Sequence, residues 1–257
     1  MKLPRGLKKI VKSTSPVRLS GTGRFKGFVL LKHGKPTNVK LSGLTKKLDA
    51  RIFSNGTLPS AATHGSERRV GWKGKSGGRR RGSAVDAQLT KCINSGKTTP
   101  QKGHYSLTKL VLVALSEYGL VPVMAQRGCC SVQNRVGTAA DIVCFNTKTN
   151  RMSIVELKCG FSGSRTVPAR RSGVACTMNF PVEKAPDCVL NRHLSQLAAT
   201  TFLIQSETRT LSKIAALGIE VDELEAFLLY ANEEKCDVIP LPEWWKKKSS
   251  KLVQSLV

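Results

Sequence analysis

Residues 137 to 160 read Gly-Thr-Ala-Ala-Asp-Ile-Val-Cys-Phe-Asn-Thr-Lys-Thr-Asn-Arg-Met-Ser-Ile-Val-Glu-Leu-Lys-Cys-Gly. Two apolar runs rich in β-branched residues flank a polar turn, the pattern of a β-hairpin. With Thr147 to Asn150 as the loop, antiparallel pairing sets Asn146 opposite Arg151, Cys144 opposite Ser153 and Asp141 opposite Glu156. Side chains alternate between faces, so Glu156 and Lys158 share one face and Asp141 joins them there. Ile142, Val155 and Leu157 point the other way. A slip of one residue would dissolve the group.

Carboxylates directly opposite one another repel unless a cation lies between them. A hard divalent ion with oxygen ligands resolves the conflict. Mg²⁺ is commonly held by one or two carboxylates and completed by water and substrate phosphate, and a neighbouring lysine can hold the attacking water. The constellation is that of a phosphodiester-cleaving site. The plainer alternative makes Asp141 an ordinary strand-end acid and Glu156 and Lys158 members of a solvated face.

On these residues the chain resembles the PD-(D/E)XK nuclease superfamily. Asp141 matches its first motif acid and Glu156-Leu157-Lys158 its Glu-x-Lys element, and the resemblance is to the RecB-like and lambda-exonuclease-like branch. It implies an α/β, restriction-endonuclease-like core, a mixed central sheet flanked by helices in the order αβββαβ. It also implies Mg²⁺ or Mn²⁺ held by Asp141, Glu156 and the Leu157 carbonyl, with Lys158 catalytic. Arg81-Gly82-Ser83-Ala84-Val85-Asp86 looks like the branch's helical ligand element, which makes Asp86 a candidate third metal ligand in competition with Glu117. Gln196-Leu197-Ala198-Ala199-Thr200 resembles the branch's Gln-containing helix motif, with Thr200 where a Tyr is usual. Exonuclease-like cleavage of DNA, a role in repair or recombination, and an oligomeric form all belong to that resemblance. RNA stays open as a substrate.

The formal net charge of +25 is unevenly spread. Residues 1–81 carry 21 Lys and Arg against Asp49 and Glu67, or +19, leaving +6 for the rest of the chain. Such a balance favours polyanions, because each neutralised phosphate releases condensed counterions. Nucleic acid is the expected partner. No apolar run is long enough to span a bilayer, and Gly and Pro break the basic stretches, so membrane binding is not expected. Absence of an apolar segment after the first basic residues argues against secretion, although scarcity of acids there also suits an organelle transit peptide. The eight cysteines show no C-x-x-C pair and no zinc spacing, which points to reduced thiols in the core and an intracellular, DNA-containing compartment such as the nucleus.

Read in order, residues 1–81 are expected to be a basic and mostly disordered extension, with one short strand at Phe28 to Leu31. Its end, with Trp72 and the run Arg79, Arg80 and Arg81, could track a nucleic-acid backbone, serve as a nuclear localisation signal or act as a linker. A nuclease-like domain is expected over 82–245. Ala84, Val85, Leu89 and Ile93 have helical spacing, and a stronger helix runs from Ser106 to Tyr118, stopped by Gly119. A strand follows near Val121 to Val132, before the hairpin. The segment 160–187 reads as a long basic loop whose Arg165, Arg170 and Arg171 could contact phosphates, or as a solvated insertion. Further helices are expected at Asp187 to Gln205 and Leu211 to Leu217, then a hairpin from Ala226 to Tyr230 and Cys236 to Leu241. Residues 246–257 read as a basic tail. The competing functional reading is a nucleic-acid-packaging protein on a nuclease-like scaffold without turnover.

Overall fold

The computed structural model describes residues 3–20, 27–59, 77–159, 164–232 and 234–257, of which 77–81 are described by backbone alone. It is an α/β structure in which a mixed, eight-stranded sheet lies between two layers of helices. The chain enters through α1 (Leu7–Ser13), β1 (Val17–Ser20), β2 (Gly27–Lys32), β3 (Lys35–Gly43) and α2 (Leu44–Arg51). Then follow α3 (Gly77–Asn94), α4 (Ser106–Glu117), β4 (Leu120–Ser131), β5 (Val136–Asn146) and β6 (Arg151–Cys159). The last part holds the small pair β7 (Arg170–Arg171) and β8 (Val174–Ala175), then α5 (Val189–Gln205), α6 (Thr208–Ala215), β9 (Glu220–Ala231), β10 (Cys236–Pro240) and α7 (Glu243–Gln254).

The register of the β5–β6 hairpin is the one its sequence requires: Asn146 faces Arg151 and Cys144 faces Ser153, with Ile142–Val155 as the last pair. Period-two alternation sorts the two strands cleanly. Ile142 and Val155 bury beneath α3 and α4 with Leu89, Ile93 and Val111. Val143 and Ile154 bury on the other face with Leu48, Leu197 and Trp245 from α2, α5 and α7. Strand β9 pairs β6 in parallel, reached through the α5 and α6 crossover, and β10 closes that edge.

The described residues among 1–59 overturn the expectation of a mostly disordered extension, while 60–76 lie outside the described residues. Leu7 and Val11 are one helical turn apart and both buried, as are Leu44, Leu48 and Ile52 of the α2 segment. Those apolar positions have the 3.6-residue spacing of helices that pack; between them Lys9 and Lys46 face solvent, while Lys8 and Lys47 donate to the carbonyls of Ile93 and Leu256. β3 joins the start of β5 in parallel, Ser42 to Val136 and Gly43 to Gly137, so β1–β3 belong to the central sheet. A buried ion pair fastens the entry. Arg127 on β4, 1% exposed, meets Glu207 in two parallel bonds, Nη1–Oε1 at 3.0 Å and Nη2–Oε2 at 2.5 Å, and its Nε donates to the Val11 carbonyl.

The basic tail expected over 246–257 lies mostly within α7. Trp245, Leu252, Val253 and Leu256 are buried, so α7 presents an apolar stripe to the core and its lysines to water. The 160–187 segment is folded where it is described. Met178, Val182 and Ala185 are buried, and Asn179 donates its backbone N–H to Ile52.

Candidate active site

The ladder between β5 and β6 stops at Ile142–Val155, and on the same edge of β5 the ladder to β3 begins at Val136–Gly137. Between them β5 has a fork. Asp141 lies at the fork, and its Oδ2 accepts the backbone N–H of Leu157 at 2.9 Å. An extended residue projects its N–H and C=O to the same edge, so the Leu157 carbonyl faces this opening too.

Glu156 and Lys158 share a face of β6. Lys158 Nζ lies 2.6 Å from Glu156 Oε1 and 3.2 Å from Gln196 Oε1, the latter on α5. Glu156 is 1% exposed, and the charge of Asp141 acts on its carboxyl. Asp86, on α3, comes to the same place through Gln126, whose side-chain amide donates to Asp86 Oδ1 at 2.9 Å and to Asp141 Oδ1 at 3.3 Å. Asp86, Asp141, Glu156, Lys158 and Gln196 are thus neighbours. Glu117 is not among them: it ends α4, where its carbonyl accepts Lys148 Nζ from the hairpin turn, at the opposite end of β5 from the fork.

Burial governs the protonation of this group. It raises the Asp141 carboxyl, with Lys158 and the Leu157 N–H opposing. Glu156 is pushed up to about 7 by burial and by the charge of Asp141, against the pull of Lys158. Asp86 is raised by burial and then by Asp141. For Lys158 burial acts downward, but the charges of Glu156 and Asp141 prevail and hold the ammonium above its ordinary value. Near neutrality the site therefore holds a charged lysine beside acids that resist simultaneous ionisation.

A hard divalent cation fits this donor set in one respect and not in another. Asp141 and Glu156 supply the one or two carboxylates that Mg²⁺ or Mn²⁺ ordinarily takes from a protein, and a cation would offset the burial and mutual repulsion that raise their carboxyls. Among the described residues, however, no three His, Cys, Asp or Glu side chains gather closely enough to make a metal site by themselves. Asp86 stands beside the pair, tied to Gln126, and not within a ready three-acid cage.

Gln126 was invisible to the sequence reading, since a lone Gln in a strand carries no motif. The one signal would have been its pairing position opposite Asp141. His193, one turn before Gln196 on α5, was also missed. Its Nδ1 lies 2.7 Å from the Tyr230 hydroxyl, and Tyr230 pairs with Lys158 across β6 and β9. Burial, together with the charges of Lys158, Arg192 and Arg165, pushes the His193 imidazole well below its usual range, so a neutral ring fills the space beside the lysine.

The arginines fare differently. Arg165 stacks on the Tyr230 ring at 4.1 Å and bonds Asp237 at 3.0 Å. Arg170 and Arg171 are exposed on the β7–β8 pair, away from the fork strands. Arg79, Arg80 and Arg81 lie in the first turns of α3, but their side chains, like Trp72, fall outside the described residues. All eight cysteines are free thiols. Among the described residues no helix is long and apolar enough to cross a membrane. The chain matches no protein-family model, and no curated protein and no solved structure is similar enough to it to match.

Proposed function

We propose that the protein is a metal-dependent nuclease of the PD-(D/E)XK kind that hydrolyses phosphodiester bonds of DNA. What carries the reading is the convergence of Asp141, Glu156 and Lys158 at a fork between adjoining strands, with Gln196 bonded to the lysine. A buried acid pair with a raised pKa is costly to keep and is characteristic of sites that do chemistry. The order α4, β4, β5, β6, α5, β9 is consistent with the core that the resemblance implies.

In this proposal Asp141 and Glu156 hold one Mg²⁺ or Mn²⁺, with the Leu157 carbonyl facing the same opening and Asp86 beside it. The ion, when bound, polarises the scissile phosphate and makes its bound water more acidic. Lys158, charged and held by Glu156 and Gln196, would direct the water or offset the negative charge of the pentacovalent transition state. Gln196 limits where the ammonium can go. Arg165 and the basic surface hold the rest of the substrate by its phosphates. Exonuclease-like action is the form the resemblance adds.

Glu156→Gln and Lys158→Met should each lower Mg²⁺-dependent cleavage of end-labelled linear duplex by at least about 10²-fold, the scale of losing a group that acts on the transition state. Salt-sensitive DNA binding should change little. The charge of +25 favours a second reading, a non-catalytic packaging protein. Purified protein that binds but never cuts linear, nicked or single-stranded DNA with Mg²⁺ or Mn²⁺ would establish that one instead.

A further inference from the structure

Beside the fork the N-terminal strands do more than lengthen the sheet. β3 leaves β5 at Gly43, and β2 and β1 curl back over the sheet face until they touch β4. Two glycines permit the contact. A Cβ on Gly128 would stand 2.2 Å from the Val17 carbonyl oxygen, and one on Gly137 would stand 2.8 Å from the Cβ of Phe28. Ser15 Oγ also donates to the Gly128 carbonyl at 3.2 Å.

The curl and α3 enclose a cleft of about 890 Å³. Its walls are apolar, with Leu19, Phe28, Leu31 and Met124; Arg18 and Lys91 stand exposed on its lining; and Asp86 and Gln126 line it where it meets the acid group. Thr90, also on the lining, has a buried hydroxyl without a hydrogen-bond partner. Leu19, on the same lining, is 56% exposed.

We infer that this cleft binds an unpaired stretch of nucleic acid. A duplex presents phosphates outward and would gain little from a mostly apolar wall carrying two cations. An unpaired strand must cover its bases, and Phe28, Leu19 and Met124 offer them apolar and aromatic surface while Arg18 and Lys91 meet the phosphates. The cleft opens at Asp86 and Gln126, so a strand lying in it reaches Asp141. Only this last step, the delivery of a strand for cleavage, rests on the nuclease reading; the binding does not.

The test is binding of fluorescein-labelled oligodeoxythymidine, oligouridine and a blunt duplex hairpin in EDTA, where nothing is cut. Arg18→Glu/Lys91→Glu and, separately, Leu19→Glu alter exposed cleft positions, and unchanged melting temperatures show that they fold. Lys247→Glu/Lys251→Glu makes the same charge change on exposed residues of α7 that do not line the cleft. Each cleft variant should weaken single-strand binding about ten-fold more than the α7 variant, with the hairpin less affected, and 5-iododeoxyuridine in the oligonucleotide should cross-link to Phe28 or Met124. The DNA and RNA probes decide which strand it takes. Equal losses in the cleft and α7 variants, or tighter binding of the hairpin than of either single strand, would overturn the inference. If the cleft variants lose binding and no form of the protein ever cuts, the cleft stands and the nuclease reading falls. If the wild type cuts while the cleft variants bind normally, the reverse holds.

Discussion

Gln126 stands at φ 55°, a left-handed conformation in the middle of a strand, where the ladder passes from Ala125–Ile142 to Arg127–Ala140. A non-glycine residue held there stores on the order of 1 kcal/mol, and such strain persists where the surroundings impose it. Here the amide bridges two acids that repel each other. Gln126→Gly should relieve the strain and leave the melting temperature unchanged or higher, yet weaken Mn²⁺ binding measured by calorimetry, because Asp86 and Asp141 lose their common donor. Gln126→Ala keeps the strain, loses the bridge and should melt lower than the glycine variant.

Glu156 gives the residue scale a pH signature. Its folded pKa of about 7 lies above its unfolded value near 4.5, so between those values the folded protein binds more protons than the unfolded chain. Stability from this group is thus present at low pH and declines as pH rises from about 4.5 through 7. Asp141 and Asp86, also raised, act in the same direction. In metal-free buffer the melting temperature of the wild type relative to Glu156→Gln should fall across that window. Added Mn²⁺ at pH 8 should restore part of it in the wild type alone, and an identical pH profile for both proteins would refute the assignment.

Among the elements, the Arg127–Glu207 pair joins three of them: α1 through the Val11 carbonyl, β4 through the arginine and the start of α6 through the glutamate. Removing one partner of a buried pair leaves a charge uncompensated and costs about 3–5 kcal/mol. Arg127→Met and Glu207→Gln should each lower the unfolding free energy measured in urea by that amount. The double variant should cost less than the sum, a coupling that a purely additive result would exclude. Deleting residues 1–16 should destabilise comparably, because it strips Leu7 and Val11 from the core and leaves Arg127 without the Val11 and Thr14 oxygens. Leu48→Ala on α2 should cost about 2–5 kcal/mol as a cavity.

This element-scale result explains why the first third of the chain misled. Its charge suggests disorder, whereas the helical spacing of Leu7 and Val11 and of Leu44, Leu48 and Ile52 is what the fold uses. A few buried apolar side chains, such as Leu7, Val11, Leu44, Leu48 and Ile52, among many lysines are enough when the sheet beneath offers them a partner, and a single sequence does not disclose that partner. The same holds for α7, whose buried Leu252, Val253 and Leu256 lie among lysines.

At the scale of the whole molecule, the excess charge of residues 1–81 lies in part on an ordered surface. Lys9, Lys12, Arg18, Lys32, Lys40 and Lys46 are all exposed on elements that pack against the sheet. Fixed charges of one sign bind polyanions with a steep salt dependence. For about six phosphate contacts, DNA affinity should fall roughly 10³-fold between 50 and 200 mM salt, as fluorescence anisotropy would record. A truncation that removed residues 1–80 would test folding and not affinity, since the same residues supply both the charge and part of the core.

The hairpin, the register of its paired part and, apart from the small β7–β8 pair, the order of the elements from α4 to β9 were legible in the sequence, because period-two and period-3.6 burial is a local property of neighbouring residues. Alternation also puts Glu156 and Lys158 on one face of β6, whereas the expected Asp141–Glu156 pair lies beyond the last rung of the ladder, and Asp141 meets the group from the fork. Only the tertiary structure brought Asp86 beside Asp141 instead of Glu117, inserted Gln126 between the acids, set a neutral His193 beside Lys158 and turned a basic leader into strands over the sheet. Those outcomes depend on which distant surfaces meet, and the free energy that decides it comes from burial across the sheet, which no stretch of chain carries by itself.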